Sequence, residues 1–216
     1  MSDAISIRVA EEGDHDVVRD FLAVYYYPEE PITNAHPQPG HTKDDEHFTM
    51  SHLKKETILM ATNKENGEIV GVLVAGPLYL GDVEGMIELA KKAESKKWAD
   101  ISLFLAYIEK KASVLKRLNV SSSLHVHVVA VNSTYRGQGI GQKLFNACFD
   151  NAKRLDHPIV SADCTSIYTN NICDRLGMDC ISTVTYAEYN EFIDEKLFTP
   201  TEPNVEIKTY VKKIDD

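Results

Sequence analysis

The stretch from Leu124 to Phe145, LHVHVVAVNSTYRGQGIGQKLF, constrains the fold more than any other. Val126 to Val131 is a run of mostly β-branched, apolar residues and reads as a buried strand. A short polar turn follows, Asn132 to Tyr135, and then Arg136-Gly137-Gln138-Gly139-Ile140-Gly141. An amphipathic helix begins immediately, with Lys143 to Leu155 helical in pattern. Strand, glycine turn and helix start together make an anion cradle. Glycines let backbone N–H groups approach a ligand closely, and the helix dipole favours negative charge there. Two other phosphate loops do not fit. Gln142 stands where a dinucleotide fingerprint needs its third glycine, and no Gly-Lys-Ser/Thr closes the loop.

The rest of the chain alternates strand and helix patterns. Ile5 to Val9 alternates like a short strand, and Asp14 to about Tyr26 is an amphipathic helix with Asp14 as its candidate cap. Asn34 to Asp45 reads as an ordered loop or short irregular helix, and Thr49 to Lys55 as a second helix. Thr57–Asn63 and Glu68–Gly76 form a hairpin over the turn Lys64-Glu65-Asn66-Gly67. Val83 to Leu118 is predicted as two helices meeting near Ser95-Lys96-Lys97. Ile101, Leu105, Ile108, Ala112 and Leu115 mark the apolar face of the second. Further on come a strand at Pro158–Cys164, a helix at Tyr168–Leu176 stopped by Gly177, and strands at Cys180–Tyr186 and Glu206–Lys212. Asn190 to Asn204 reads as a linker. The order implies one α/β domain over residues 1–216, with a mixed central sheet and helices on both faces.

Composition narrows the function. The 216 residues carry a formal net charge of −10, which argues against nucleic acid and mildly attracts cationic substrates. Cys148, Cys164, Cys173 and Cys180 form no CxxC pair, so they read as free thiols in a reducing compartment. The polar, acidic start is no signal peptide, and no apolar run approaches the ~20 residues of a membrane span. A cytoplasmic monomer without membrane contact is the expectation.

The Arg-x-x-Gly-x-Gly spacing resembles the pyrophosphate loop of the GNAT acetyltransferases, which bind acetyl-coenzyme A, and the element order is similar to that fold over nearly the whole chain. Other stretches resemble the insect arylalkylamine N-acetyltransferases within it. These are Glu29-Glu30-Pro31-Ile32-Thr33, Cys164 to Thr169 leading into Cys173-Asp174-Arg175-Leu176-Gly177-Met178, and Tyr186-Ala187-Glu188-Tyr189 through Val205-Glu206-Ile207. The resemblance implies transfer of acetyl from acetyl-coenzyme A to a small amine such as dopamine, serotonin or tyramine. Its sheet would be splayed between the strands that flank the coenzyme. Val129, Ala130 and Val131, the loop Arg136, Gly137, Gln138, Gly139, Ile140 and Gly141, then Gln142, Lys143 and Thr165, would hold the coenzyme.

Glu30 matches the general base of the insect branch. An amine of pKa about 10 is protonated at neutral pH and must lose that proton before it attacks a thioester. His125 and His127, two apart on a strand and so on one face, match the proton path of the vertebrate enzymes and rival Glu30. No third ligand accompanies them in sequence, so no metal is expected. Thr165 and Thr169 stand where the insect branch commonly has two serines. Cys173 replaces a tyrosine that many relatives use to protonate the leaving thiolate, and Tyr168 is the candidate substitute. Two alternatives stay open: acetylation of polyamines or other non-aromatic amines, and a binding protein that senses acyl-coenzyme A without turnover.

Overall fold

The computed structural model describes residues 4–214. The first half runs β1 (Ile5–Val9), α1 (His15–Tyr25), α2 (Pro31–Ala35), α3 (Lys43–Met50), β2 (Ile58–Asn63), β3 (Ile69–Tyr79), α4 (Asp82–Lys92), α5 (Lys96–Ala112) and α6 (Val114–Leu118). The second half runs β4 (Ser122–Val131), α7 (Ile140–Arg154), β5 (Ile159–Cys164), α8 (Ile167–Arg175), β6 (Asp179–Thr185), α9 (Tyr186–Phe192) and β7 (Glu206–Lys213). One seven-stranded sheet has the order β1-β2-β3-β4-β5-β7-β6. Every pairing is antiparallel except β4 with β5, so the mixed α/β sheet expected from the sequence is present.

The β4–β5 pair sets the function. Its ladder runs Leu124–Val160, His125–Ser161 and Val126–Ala162 and stops there, while β4 continues to Val131. The two strands therefore part beyond Val126. On the other side of β4, the register with β3 shifts so that Val74 faces Val128 and Ala75 faces Val126. His127 is the extra residue of a bulge, and bulges re-aim side chains. Before it, Leu124 and Val126 pack with Leu144 and Phe145 of α7. After it, Val128 and Ala130 pack with Val18 and Leu22 of α1. A third cluster, around Phe104, Tyr186 and Phe198, seats α5 on the end of the sheet.

Several local expectations need correction. The helix expected at Thr49–Lys55 lies earlier, at Lys43–Met50, because Thr42 and Asp45 form a reciprocal capping box that starts it. Asp14 does not cap α1 with its side chain. It accepts instead from the Glu11 N–H and twice from the Arg8 guanidinium. The linker expected from Asn190 begins inside α9, whose first turn is capped by the Thr185 hydroxyl accepting from the Glu188 N–H at 3.0 Å.

Lys97 fixes the segment after α2. Buried at 1% exposure, its ammonium donates to the carbonyls of Thr33, Gln38 and Gly40 at 3.0, 2.7 and 2.5 Å. Lys97→Met would leave buried acceptors without a donor, at about 1–3 kcal/mol for such a group. Urea unfolding should show a loss of that order; an unchanged midpoint would mean that water satisfies the carbonyls.

Candidate active site

A cavity of about 960 Å3 opens where β4 and β5 part, lined from both faces of the sheet. Val129, Ala130 and Val131 pair with β3 on one edge, and their other edge, toward β5, pairs with no strand among the described residues. The glycine turn follows. Gly137 and Gly139 have φ of 78° and 76°, in the left-handed region that glycine adopts without strain. No side chain among the described residues caps α7, so the N–H groups of its first turn are left to a ligand or solvent. Arg136, Gly137, Gly139, Ile140, Gly141 and Gln142 border the cavity. Gln138, exposed at the turn, and Lys143, further along the helix, do not.

An open strand edge leading to an uncapped helix start fits a ligand with a long, thin arm that leads into a pyrophosphate. Acetyl-coenzyme A has that shape. The Arg136 guanidinium donates to the Val131 carbonyl at 3.2 Å and pairs with Glu29 at 2.8 Å. This side chain therefore staples the cradle to the Glu29-Glu30 segment.

On the opposite side stands Glu30, 7% exposed, as the N-cap of α2. Its carboxylate accepts from the N–H groups of Ile32 at 3.1 Å and Thr33 at 2.5 Å. Burial raises its pKa, against the lowering effect of these bonds and of the Thr165 hydroxyl.

His125 and His127 meet despite the bulge between their faces, with ring centroids 5.0 Å apart. His127 also touches His52 and Phe48, at 4.9 and 5.0 Å. Gly76 permits this approach, since a Cβ there would lie 2.4 Å from His52 Nε2 and 3.0 Å from His127 Nε2. Burial lowers all three imidazole pKa values, that of His52 to about 4. His125 Nδ1 hydrogen-bonds Ser161 Oγ at 2.9 Å, and its Nε2 lies 3.6 Å from Asp163. The sequence offered His125 no third ligand; the fold brings both Asp163 and Glu109 to it, their donor atoms within 4.8 Å of one another.

Thr165, Tyr168 and Thr169 border the cavity at the start of α8. The Thr169 hydroxyl pairs with that of Ser166, the helix cap, at 3.0 Å. Tyr168 is 77% exposed, on the rim. Cys173 is fully buried, its Sγ 3.5 Å from that of Cys164, and has no access to the cavity. Sequence reasoning missed His52, Trp98, Glu109 and Asp163. Glu109 did leave a signal: it sits four residues after Leu105, within the apolar stripe of α5.

Comparison with known proteins fits this geometry. Residues 18–172 match the model of the acetyltransferase (GNAT) family. An arylalkylamine N-acetyltransferase like 5b from mosquito is 38% identical with a TM-score of 0.93, covering 97% of this chain and 99% of that one. A polyamine N-acetyltransferase of Drosophila melanogaster, which forms N-acetylagmatine, is 32% identical at a TM-score of 0.91, covering 97% and 99%. An agmatine N-acetyltransferase variant in its apo form is 32% identical at 0.92, covering 98% and 100%. The parted strands, the glycine cradle and these matches agree: the chain belongs to the GNAT family and is an N-acetyltransferase that uses acetyl-coenzyme A.

Proposed function

We propose that this enzyme acetylates small primary amines carried on an apolar or aromatic arm, arylalkylamines among them, with Glu30 as general base. The observation that carries this reading is a buried carboxylate sharing one cavity with an aromatic chamber. Phe48 and Trp98, 5.3 Å apart, line that chamber with Met86 and Leu105. The mosquito relative, named for arylalkylamines, points the same way.

Acetyl-coenzyme A supplies the thioester. The chain's own residues do the rest. Glu30 binds the ammonium and takes its proton, the freed nitrogen forms the new N–C bond as the C–S bond breaks, and the proton left over on that nitrogen passes to solvent. The backbone N–H near Val129 faces the carbonyl oxygen as it gains charge. Tyr168, on the rim, returns a proton to the leaving sulfur. Glu30 suits the base role better than His127, because a carboxylate attracts the ammonium as well as taking its proton, which an imidazole does not.

Thr165 and Thr169 support rather than carry the chemistry. Thr165→Ala and Thr169→Ala should each lower turnover by about ten-fold or less, below the usual range for a general base. A steady-state loss as large as that of Glu30 variants would promote them. The function itself is tested by coenzyme thiol release over dopamine, serotonin, tyramine, spermidine and agmatine. Turnover of the aromatic amines is expected; none with them would overturn the reading.

A further inference from the structure

We infer that Glu109 and Asp163 form a subsite for a second positive charge on the substrate, and so decide between dicationic and monocationic amines. The inference rests on the small-amine reading above and adds a specificity determinant to it. Both carboxylates border the same cavity as Glu30. Glu109 is 7% exposed, and its Oε2 is a buried atom with no hydrogen-bond partner. Such an oxygen is costly to leave unmatched. Asp163 accepts from the Thr209 hydroxyl at 2.6 Å and lies near His125, and among the described residues no lysine or arginine pairs with either acid. Beyond the His125 imidazole, the described residues bring no cationic side chain to the two carboxylates.

Geometry identifies its class. One donor atom from each of Glu109, His125 and Asp163 falls within 4.8 Å of the others. Acceptors bound to one ammonium at about 2.9 Å stand roughly 4.7 Å apart in a tetrahedral arrangement. All three donor atoms lie within that reach of one another, His125 Nε2 and Asp163 as close as 3.6 Å, so one ammonium or guanidinium N–H fork at the tail of the amine can contact them together. Burial and the Asp163 charge push the Glu109 carboxyl up to about 8, so a cation bound here would displace its proton.

The test compares agmatine and 1,5-diaminopentane with hexylamine, a monoamine of matched reach, on the wild type and on Glu109→Gln. The ratio of kcat/KM for dication over monocation should fall ten-fold or more, chiefly through KM. Asp163→Asn should lower the same ratio and covers the case in which Glu109→Gln fails to fold. Calorimetric binding of agmatine, which needs no turnover, should weaken in parallel. An unchanged ratio and unchanged binding would overturn the subsite. So would a metal site: saturable zinc binding to the wild type, lost in Glu109→Gln, would mean that the acids hold a metal ion instead. A wild type that binds agmatine but acetylates no amine would instead refute the small-amine function and leave the subsite standing.

Discussion

Glu30→Gln should lower the turnover number by at least about 100-fold, the lower end of the usual loss for a general base. The substitution keeps the shape of the side chain, and its amide oxygen can still accept one of the two cap bonds from Ile32 and Thr33. The fold and the KM for acetyl-coenzyme A should therefore stay near normal, because the cradle lies on the α7 side. His127→Gln should lose far less, because Glu30 rather than the imidazole takes the amine proton. Glu30 also links pH to stability. Its folded pKa lies above the ordinary carboxylate value, so the native state binds this proton more tightly than the unfolded chain. Stability from this group is full below the ordinary value and declines as pH rises through the raised one. Thermal unfolding at pH 5 and 8 should show a smaller decline in Glu30→Gln than in the wild type.

Gly139→Asp should raise the KM for acetyl-coenzyme A by about ten-fold or more, equivalent to about 1.4 kcal/mol, with much smaller change in kcat at saturation. The position combines a left-handed backbone with the uncapped start of α7. Aspartate tolerates that conformation better than most residues, so the expected loss comes from charge. Its carboxylate would satisfy the helix N–H groups and repel phosphate from the cradle. Arg136→Ala should raise the same KM several-fold by freeing the turn from Val131 and Glu29. Unchanged KM values in both folded variants would remove the cradle from coenzyme binding.

Much of the fold was legible because its signals are local. The β-branched, mostly apolar run of β4, the glycine turn and the periodic stripe of α5 are each readable within one short segment. Helix α3 was expected too late in the chain and α9 not at all, although their caps are written in sequence: Thr42-x-x-Asp45 for α3 and Thr185-x-x-Glu188 for α9. The bulge at His127 was not legible, because it exists only in the register of β4 against β3. The site divides the same way. Glu30 and the cradle belong to short segments with recognisable spacing. Glu109, Asp163 and His125 come from a helix and two strands, and only the parallel β4–β5 pairing and the seating of α5 bring them together. An acid within an apolar stripe marks Glu109 as unusual, but nothing local says which partners it meets.

The measurement that bears most directly on Glu30 as the base is the pH dependence of kcat at saturating acetyl-coenzyme A, in the wild type, His125→Gln, His127→Gln and Glu30→Gln. A carboxyl raised by burial predicts that kcat climbs with pH along a limb displaced above the ordinary carboxylate range. That limb should persist in both histidine variants and vanish from the residual activity of Glu30→Gln. A limb that survives in Glu30→Gln but shifts or disappears in His127→Gln would place the amine proton on the histidines and contradict the assignment of Glu30.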